Sequence, residues 1–298
     1  MPEDLAGAAI ALGNFDGVHR GHKAVIGAAI ANARAQSRPT IVATFDPHPM
    51  RLFRPEMPPF RLTTLDQREE LFAGLGADAM LVFSFDRALA AMSPEEFVND
   101  LLVGHLRVGS IVTGSDFTFG RNRAGNPARL AELADRHGIS AQTVGPVAAE
   151  GEVVSSSRIR EALRRGDPQE AARLMTRPFA IRGTVIHGDK RGRTLGFPTA
   201  NLELGQYLRP KFGIYAVTAT LPGGIEVKGA ANIGIRPSFD PPKELLEPYF
   251  FDFSGDLYGQ EIEVAFHHFL RPEAKYDTLE TLTAQLERDC LAARELLG

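Results

Sequence analysis

The apolar positions along the chain change rhythm near residue 178. Before that point, short continuous apolar runs alternate with longer stretches in which apolar residues return every three or four positions. Residues 8–12, 39–45, 79–85 and 110–113 read as buried strands, with 139–144 a weaker fifth. Residues 23–36, 65–75, 94–105 and 127–137 read as the helices between them. Ser93-Pro94-Glu95-Glu96 sets a serine N-cap before a first-turn proline and a glutamate at the third helical position, a capping box. Strands alternating with helices predict a parallel sheet covered by helices on both faces. Ligands of such sheets bind beyond the carboxyl ends of the strands.

Two further helical runs, 156–165 and 168–175, end at Arg177-Pro178, which places a boundary between a domain of residues 1–177 and one of residues 178–298. Beyond it, 179–186, 213–221, 225–232, 248–253 and 261–270 read as strands of an antiparallel set, with Val227 and Ala265 flanked by polar neighbours. Leu221-Pro222-Gly223-Gly224 reads as a hairpin turn, and several short strands with turns predict a small barrel. A last helix over 278–297 carries Leu279, Leu282, Leu286, Cys290, Ala293 and Leu297 along one stripe, expected to pack on the barrel with Cys290 as a small core residue. The fold class is α/β plus β.

Composition narrows the function. The 298 residues are 44% hydrophobic and 23% charged, ordinary for a globular chain with a core in each half. A net charge of −4 gives no global basic field for nucleic acid. A single cysteine excludes an intramolecular disulfide and a cysteine-cluster metal site. The acidic start Met1-Pro2-Glu3-Asp4 does not read as a signal peptide, and no apolar run of about 18 residues is present to span a membrane. A cytoplasmic enzyme is the expectation, as a monomer or weak homo-oligomer.

The candidate chemistry lies at strand ends. Residues 13–22, Gly-Asn-Phe-Asp-Gly-Val-His-Arg-Gly-His, join the first strand to the first helix. Helix N-termini expose backbone N–H groups and a positive dipole end, so such a turn suits phosphate. His19 and His22 are three apart and can share a face, and Gly21 between them leaves room for a ligand near the backbone. Phe45-Asp46-Pro47-His48-Pro49 follows the second strand, and Thr113-Gly114-Ser115-Asp116-Phe117-Thr118-Phe119-Gly120 the fourth. Ser155, Ser156, Ser157, Arg158 and Arg160 open a later helix with hydroxyls and guanidiniums, whose fork matches phosphate oxygens. In the second half, residues 187–201 form a glycine-rich basic segment containing Gly188, Lys190, Gly192 and Gly196. It is one residue short of Walker spacing and has Arg193 in place of the lysine, yet its backbone can wrap phosphates. Thr199 and Asn201 beyond it offer hard oxygen ligands on one side of an extended segment, suited to Mg²⁺ held with ATP phosphates.

The blocks Gly-Asn-Phe-Asp-Gly-Val-His-Arg-Gly-His, Phe-Asp-Pro-His-Pro, Ser-Asp-Phe-Thr-Phe-Gly and Ser-Ser-Ser-Arg-Ile-Arg, in this order, resemble the adenylyltransferase module of prokaryotic bifunctional FAD synthetases. Residues 187–201, with Gly213-Ile214-Tyr215, residues 232–239, Glu247 ahead of Asp252-Phe253, and Asp256-Leu257-Tyr258-Gly259, resemble the riboflavin kinase module of the same family. The resemblance implies a Rossmann-like nucleotidylyltransferase sheet followed by a kinase barrel. It implies ATP-dependent phosphorylation of riboflavin to FMN, then transfer of AMP from ATP to FMN to give FAD and pyrophosphate.

The same resemblance carries roles to residues. His19 and His22 contact the phosphates, with Gly13, Phe15, Gly17, Gly21, Ser155, Ser156 and Arg158 around the nucleotide, and Arg160 binds the leaving β/γ end. Asp116 and Phe117 belong to the flavin side, although Asp116 alternatively serves only as a turn residue. In the kinase half, Gly188, Lys190, Gly192, Gly196 and Pro198 belong to the nucleotide, Thr199 and Asn201 hold Mg²⁺, and Glu247 acts as base. The family has Thr where Ser157 and Ser238 stand, and Val-His where Pro248-Tyr249 follows Glu247. Proline there suits an edge strand or a bulge. The alternative is that only one half is active and the other is a flavin-binding or regulatory module.

Overall fold

The structure is a computed structural model that describes residues 2–187, 197–236 and 242–298. It divides into two compact units, Met1–Pro58 with Thr64–Ser155, and Pro59–Thr63 with Ser156–Gly298.

In the first unit β1 (Ala9–Leu12) leads to α1 (Arg20–Ala35), then β2 (Thr40–Asp46), α2 (Pro49–Phe53), α3 (Leu65–Leu75), β3 (Ala79–Ser84), α4 (Arg87–Ala91) and α5 (Pro94–Glu96). The unit continues through β4 (Ser110–Gly114), α6 (Pro127–Asp135), β5 (Ser140–Val144) and the pair β6 (Ala148–Ala149) and β7 (Glu152–Val153). The capping box at Ser93 forms, but the helix behind it continues as wider π-helical turns over Phe97–His105. Five strands pair in parallel in the order β3-β2-β1-β4-β5.

Alternation along the strands explains how both faces are filled. Ile10, Leu12, Ile41 and Ala43 join Phe97, Leu102, Leu130 and Leu133 on one face. Ala11, Val42 and Val112 join Val25, Ile26, Ile30 and Phe72 on the other. Buried on both faces, β1 and β2 read as continuous apolar runs in sequence. The edge strand β5 is exposed, which is why its signal was weak. β1 has β2 on one side and β4 on the other, so the start of α1 lies at the point where strand order reverses.

The second unit begins with α7 (Ser156–Arg165) and α8 (Pro168–Met175), and α8 packs on strands of the barrel that follows. Those strands are β8 (Phe179–Thr184), β9 (Leu202–Glu203), β10 (Gly213–Leu221), β11 (Ile225–Arg236), β12 (Lys243–Phe250) and β13 (Glu261–Arg271). They pair antiparallel in the order β8-β13-β10-β11-β12-β9, and an Ile186–Asn201 bridge joins the two edges into a nearly closed barrel.

The strand expected over 248–253 lies earlier, as β12, because Leu245 and Leu246 are buried as well and pair with β9. The last helix, α9 (Leu279–Leu297), packs Ala293, Cys290 and Leu297 against Ala216, Ala230 and Phe251. Leu279 does not join that stripe and is 64% exposed, while Leu282 and Leu286 border a cavity. Cys290 is half-buried at the same cavity.

Candidate active sites in the two units

His19 is the N-cap of α1. Its Nδ1 accepts hydrogen bonds from the N–H groups of Gly21 at 3.1 Å and His22 at 3.3 Å. With that lone pair committed, the neutral ring carries its proton on Nε2, which is a donor and not a base. The rings of His19 and His22 stack with centroids 3.6 Å apart, and the Phe15 ring meets His22 edge-on at 5.3 Å. The three-residue spacing does place both histidines on one face.

Gly21 also has a reason within the turn itself. A Cβ there would stand 3.1 Å from His19 Cε1 and 3.2 Å from Nδ1, so the missing side chain admits the capping imidazole itself. At Gly13 a Cβ would lie 2.9 Å from the Phe15 ring. Gly17 has φ 88°, and Phe15 and Val18 take positive φ without being glycine.

Sequence reasoning missed what lies beneath this turn. Arg68 of α3 donates to the Asn14 carbonyl at 3.2 Å and to Thr44 Oγ1 at 3.0 Å, and stands 3.8 Å from Asp16. A guanidinium in a polar helical segment reads as a solvated charge. Only the capping box at Thr64 and Gln67, which starts α3, was available to place it.

The other residues expected at this site are distributed as follows. Asp116 is exposed after β4, and Phe117 stacks on Phe119 at 5.7 Å at the edge of the sheet core. Ser155 ends the first unit. Ser156, Arg158 and Arg160 belong to α7 in the second unit. Arg158 pairs with Glu170 of α8 at 2.7 Å. Arg160 donates from Nε to the Phe60 carbonyl at 2.9 Å and lies over the Phe60 ring at 5.2 Å. Gly188, Lys190, Gly192, Gly196 and Ser238 lie outside the described residues.

The second unit holds a cavity of about 960 Å³ bordered by Pro198, Thr199, Asn201, Asn232, Arg236 and Glu247. Local pairing brings these together. Glu247 stands opposite Asn232 in the β11–β12 register. The Ala200 N–H donates to the Pro248 carbonyl at 3.0 Å, and the Ile186 N–H to Asn201 O at 2.8 Å. Glu247 therefore lies inside a strand, not ahead of one. Proline is tolerated beside it because N and C=O of a strand residue point to the same side. The Pro248 carbonyl points to Ala200, so its nitrogen faces away from β11 and no β11–β12 bond is lost.

Glu247 accepts from Arg236, which also reaches Glu273 at 3.3 Å, and Asn232 Nδ2 donates to Glu273 at 3.1 Å. Burial works against the Arg236 charge, but its two carboxylate partners outweigh burial and raise its pKa. A Cβ at Gly234 would meet the Glu273 carboxyl at 2.2 Å, so this glycine makes room for that carboxylate.

Thr199, Asn201 and Glu247 supply a hydroxyl, an amide and a carboxylate to one cavity wall, and Asn232 Oδ1 is buried without a hydrogen-bond partner among the described residues. Among the described residues no group of three or more His, Cys, Asp or Glu is placed to hold a metal ion. An all-oxygen set with few charged ligands fits Mg²⁺, which keeps substrate phosphates in its shell, and not a soft metal.

Comparison with known proteins agrees with both halves. A family profile described as FAD synthetase matches residues 1–158, and one described as riboflavin kinase matches residues 175–297. A bifunctional riboflavin kinase/FMN adenylyltransferase of Escherichia coli K12 is 39% identical over 292 residues, 98% of this chain and 93% of the relative. One from Listeria monocytogenes is 41% identical over 94% of this chain and 89% of its own. A Streptococcus pneumoniae crystal structure described as a macrolide-efflux protein superposes with a TM-score of 0.88 at 30% identity, covering 97% of this chain and 94% of that one. Among the described residues no helix is long and apolar enough to cross a membrane. The chain belongs to the bifunctional riboflavin kinase/FMN adenylyltransferase family.

Proposed function

We infer that this chain is a bifunctional flavin-cofactor enzyme: its C-terminal part phosphorylates riboflavin with ATP, and its N-terminal part transfers AMP from ATP to FMN. The observation that carries the reading is the meeting of Thr199, Asn201 and Glu247 at one cavity in one unit, while His19, stacked on His22, caps the helix at the strand-order reversal of the other.

In the kinase half, Glu247 accepts the proton of the ribityl 5′-hydroxyl as that oxygen attacks the γ-phosphorus and ADP leaves. Arg236 holds the carboxylate in place until substrate arrives. Thr199 and Asn201 would hold Mg²⁺, which when bound neutralises triphosphate charge. The segment with Gly188, Lys190, Gly192 and Gly196, together with Pro198, serves the nucleotide.

In the adenylyltransferase half, an FMN phosphate oxygen attacks the α-phosphorus of ATP and pyrophosphate leaves, with no covalent enzyme intermediate. His19 and His22 donate to the phosphates from the α1 N-terminus, where the dipole favours anions. Gly13, Phe15, Gly17, Gly21, Ser155, Ser156 and Arg158 shape the nucleotide site, Arg160 takes the β/γ end, and Asp116 and Phe117 the flavin. These roles, the 1–177 and 178–298 domain division, a cytoplasmic location, a monomeric or weakly oligomeric state and the absence of a nucleic-acid partner are parts of the same proposal.

The test is purified protein with ATP, Mg²⁺ and riboflavin, read by chromatography. FMN followed by FAD is expected. Riboflavin alone at the end sinks the kinase reading, and FMN without FAD sinks the adenylyl transfer.

A further inference from the structure

The turn between β1 and α1 is held by a side chain with no part in the chemistry assigned above. Arg68 is 1% exposed, and Asp16 beside it 2%. Burying a guanidinium is expensive unless oxygens replace its water. Arg68 has those oxygens: Thr44 Oγ1 at 3.0 Å, the Asn14 carbonyl at 3.2 Å and Asp16 Oδ1 at 3.8 Å. The Thr44 hydroxyl donates to the same Asn14 carbonyl at 2.8 Å. Two donors therefore pin one carbonyl toward the interior.

That carbonyl belongs to the peptide that ends in the Phe15 N–H. The Asn14–Phe15 peptide is trans. In a trans peptide C=O and N–H point in opposite directions. Pinning the Asn14 carbonyl inward thus turns the Phe15 N–H away from the buried layer. The cost of this arrangement is visible in the backbone, where Phe15 has φ 48° and Val18 φ 42°. Such states persist only where surrounding structure enforces them.

We propose that Arg68, together with Thr44, is a positioning residue for adenylyl transfer: it fixes the Asn14 carbonyl so that the next backbone N–H is presented to the triphosphate of a nucleotide. This rests on the reading of residues 13–22 as the adenylyl-transfer turn.

The experiment uses the full chain and measures its two activities separately for Arg68→Lys and Thr44→Val. In FAD formation at saturating FMN, the KM for ATP rises about tenfold, the loss of roughly one charge-assisted hydrogen bond. The KM for FMN in that reaction, and both constants of FMN formation from riboflavin, stay unchanged. If Arg68→Lys lowers the melting temperature, Thr44→Val carries the test, because it keeps the arginine and its ion pair. An unchanged KM for ATP in folded variants overturns the proposal. So does an equal rise in both KM values, which is general loosening of the unit. His19→Ala separates the two claims. FAD formation retained in that variant removes the turn's assignment itself. FAD formation lost there, with normal Arg68→Lys and Thr44→Val kinetics, removes only the positioning role.

Discussion

Arg236 and Glu247 form an ion pair at the wall of the cavity that also receives Thr199 and Asn201. The arginine is shared with Glu273, so it stands between two carboxylates that would otherwise repel. A base whose oxygen is already held has its direction fixed before substrate arrives. Glu247→Gln should lower FMN formation by about a thousandfold, as loss of a general base does, while FAD is still made from supplied FMN. Arg236→Met should lower kcat for FMN formation by about a hundredfold through misplacement of Glu247. Steady-state assays of each activity decide both. Normal FMN formation by Glu247→Gln would refute the base role.

His19 has two separable duties. As an N-cap it accepts from Gly21 and His22, and as a ring it stacks on His22. Asparagine caps helices well, so His19→Asn should keep unfolding stability within about 0.5 kcal/mol, whereas His19→Ala should cost about 1 kcal/mol. Both should stop the reaction at FMN. Denaturant unfolding with product chromatography tests this. FAD made by the asparagine variant would leave the histidine a cap only.

Asp289 is a buried carboxylate on α9, bound by both Nε and Nη2 of Arg271 and by Gln285. Its removal leaves Arg271 without that partner next to the cavity. Asp289→Ala should lower the stability of the second unit by about 2 kcal/mol, the scale of hydrogen bonds to a charged group. Urea midpoints of wild type and variant measure it.

His267 bonds Thr218 at 2.9 Å, and burial followed by the charge of neighbouring His268 depresses its pKa below 6.5. A histidine with a depressed folded pKa contributes stability that is present above its unfolded value near 6.5 and is lost as pH falls through the lower folded value. The second unit should therefore unfold more easily over that acid window, and His267→Gln should flatten the dependence. Equal pH slopes for the two proteins would remove His267 as the cause.

Burial, with the neighbouring Asp289 carboxylate, pushes the Cys290 thiol up to about 11. Since thiolate is the reactive form, alkylation at neutral pH should be slow and should accelerate toward that value. Iodoacetamide labelling followed by mass spectrometry over a pH series checks this. A fast neutral reaction would contradict the raised value.

The chain by itself determined whatever is written in periodicity and short local geometry. Buried parallel strands appear as unbroken apolar runs, so β1 and β2 were legible, and the amphipathic α1, α3, α7 and α8 were readable from their spacing. The stacked pair His19 and His22 followed from a three-residue interval on a helix start. The Thr199–Asn201 interval and Glu247 were singled out by motif. Tertiary structure alone decided what depends on pairing between distant segments. Register placed Glu247 within β12 and set Asn232 opposite it, because strand pairing, not local propensity, fixes where a strand begins. Arg236, the partner that Glu247 shares with Glu273, comes from β11, and Glu273 from beyond the end of β13; no spacing announces either. Arg68 looked like any solvated charge. Its burial on Asn14, Thr44 and Asp16 exists only once α3 lies against the carboxyl ends of β1 and β2, where three oxygens take the place of water.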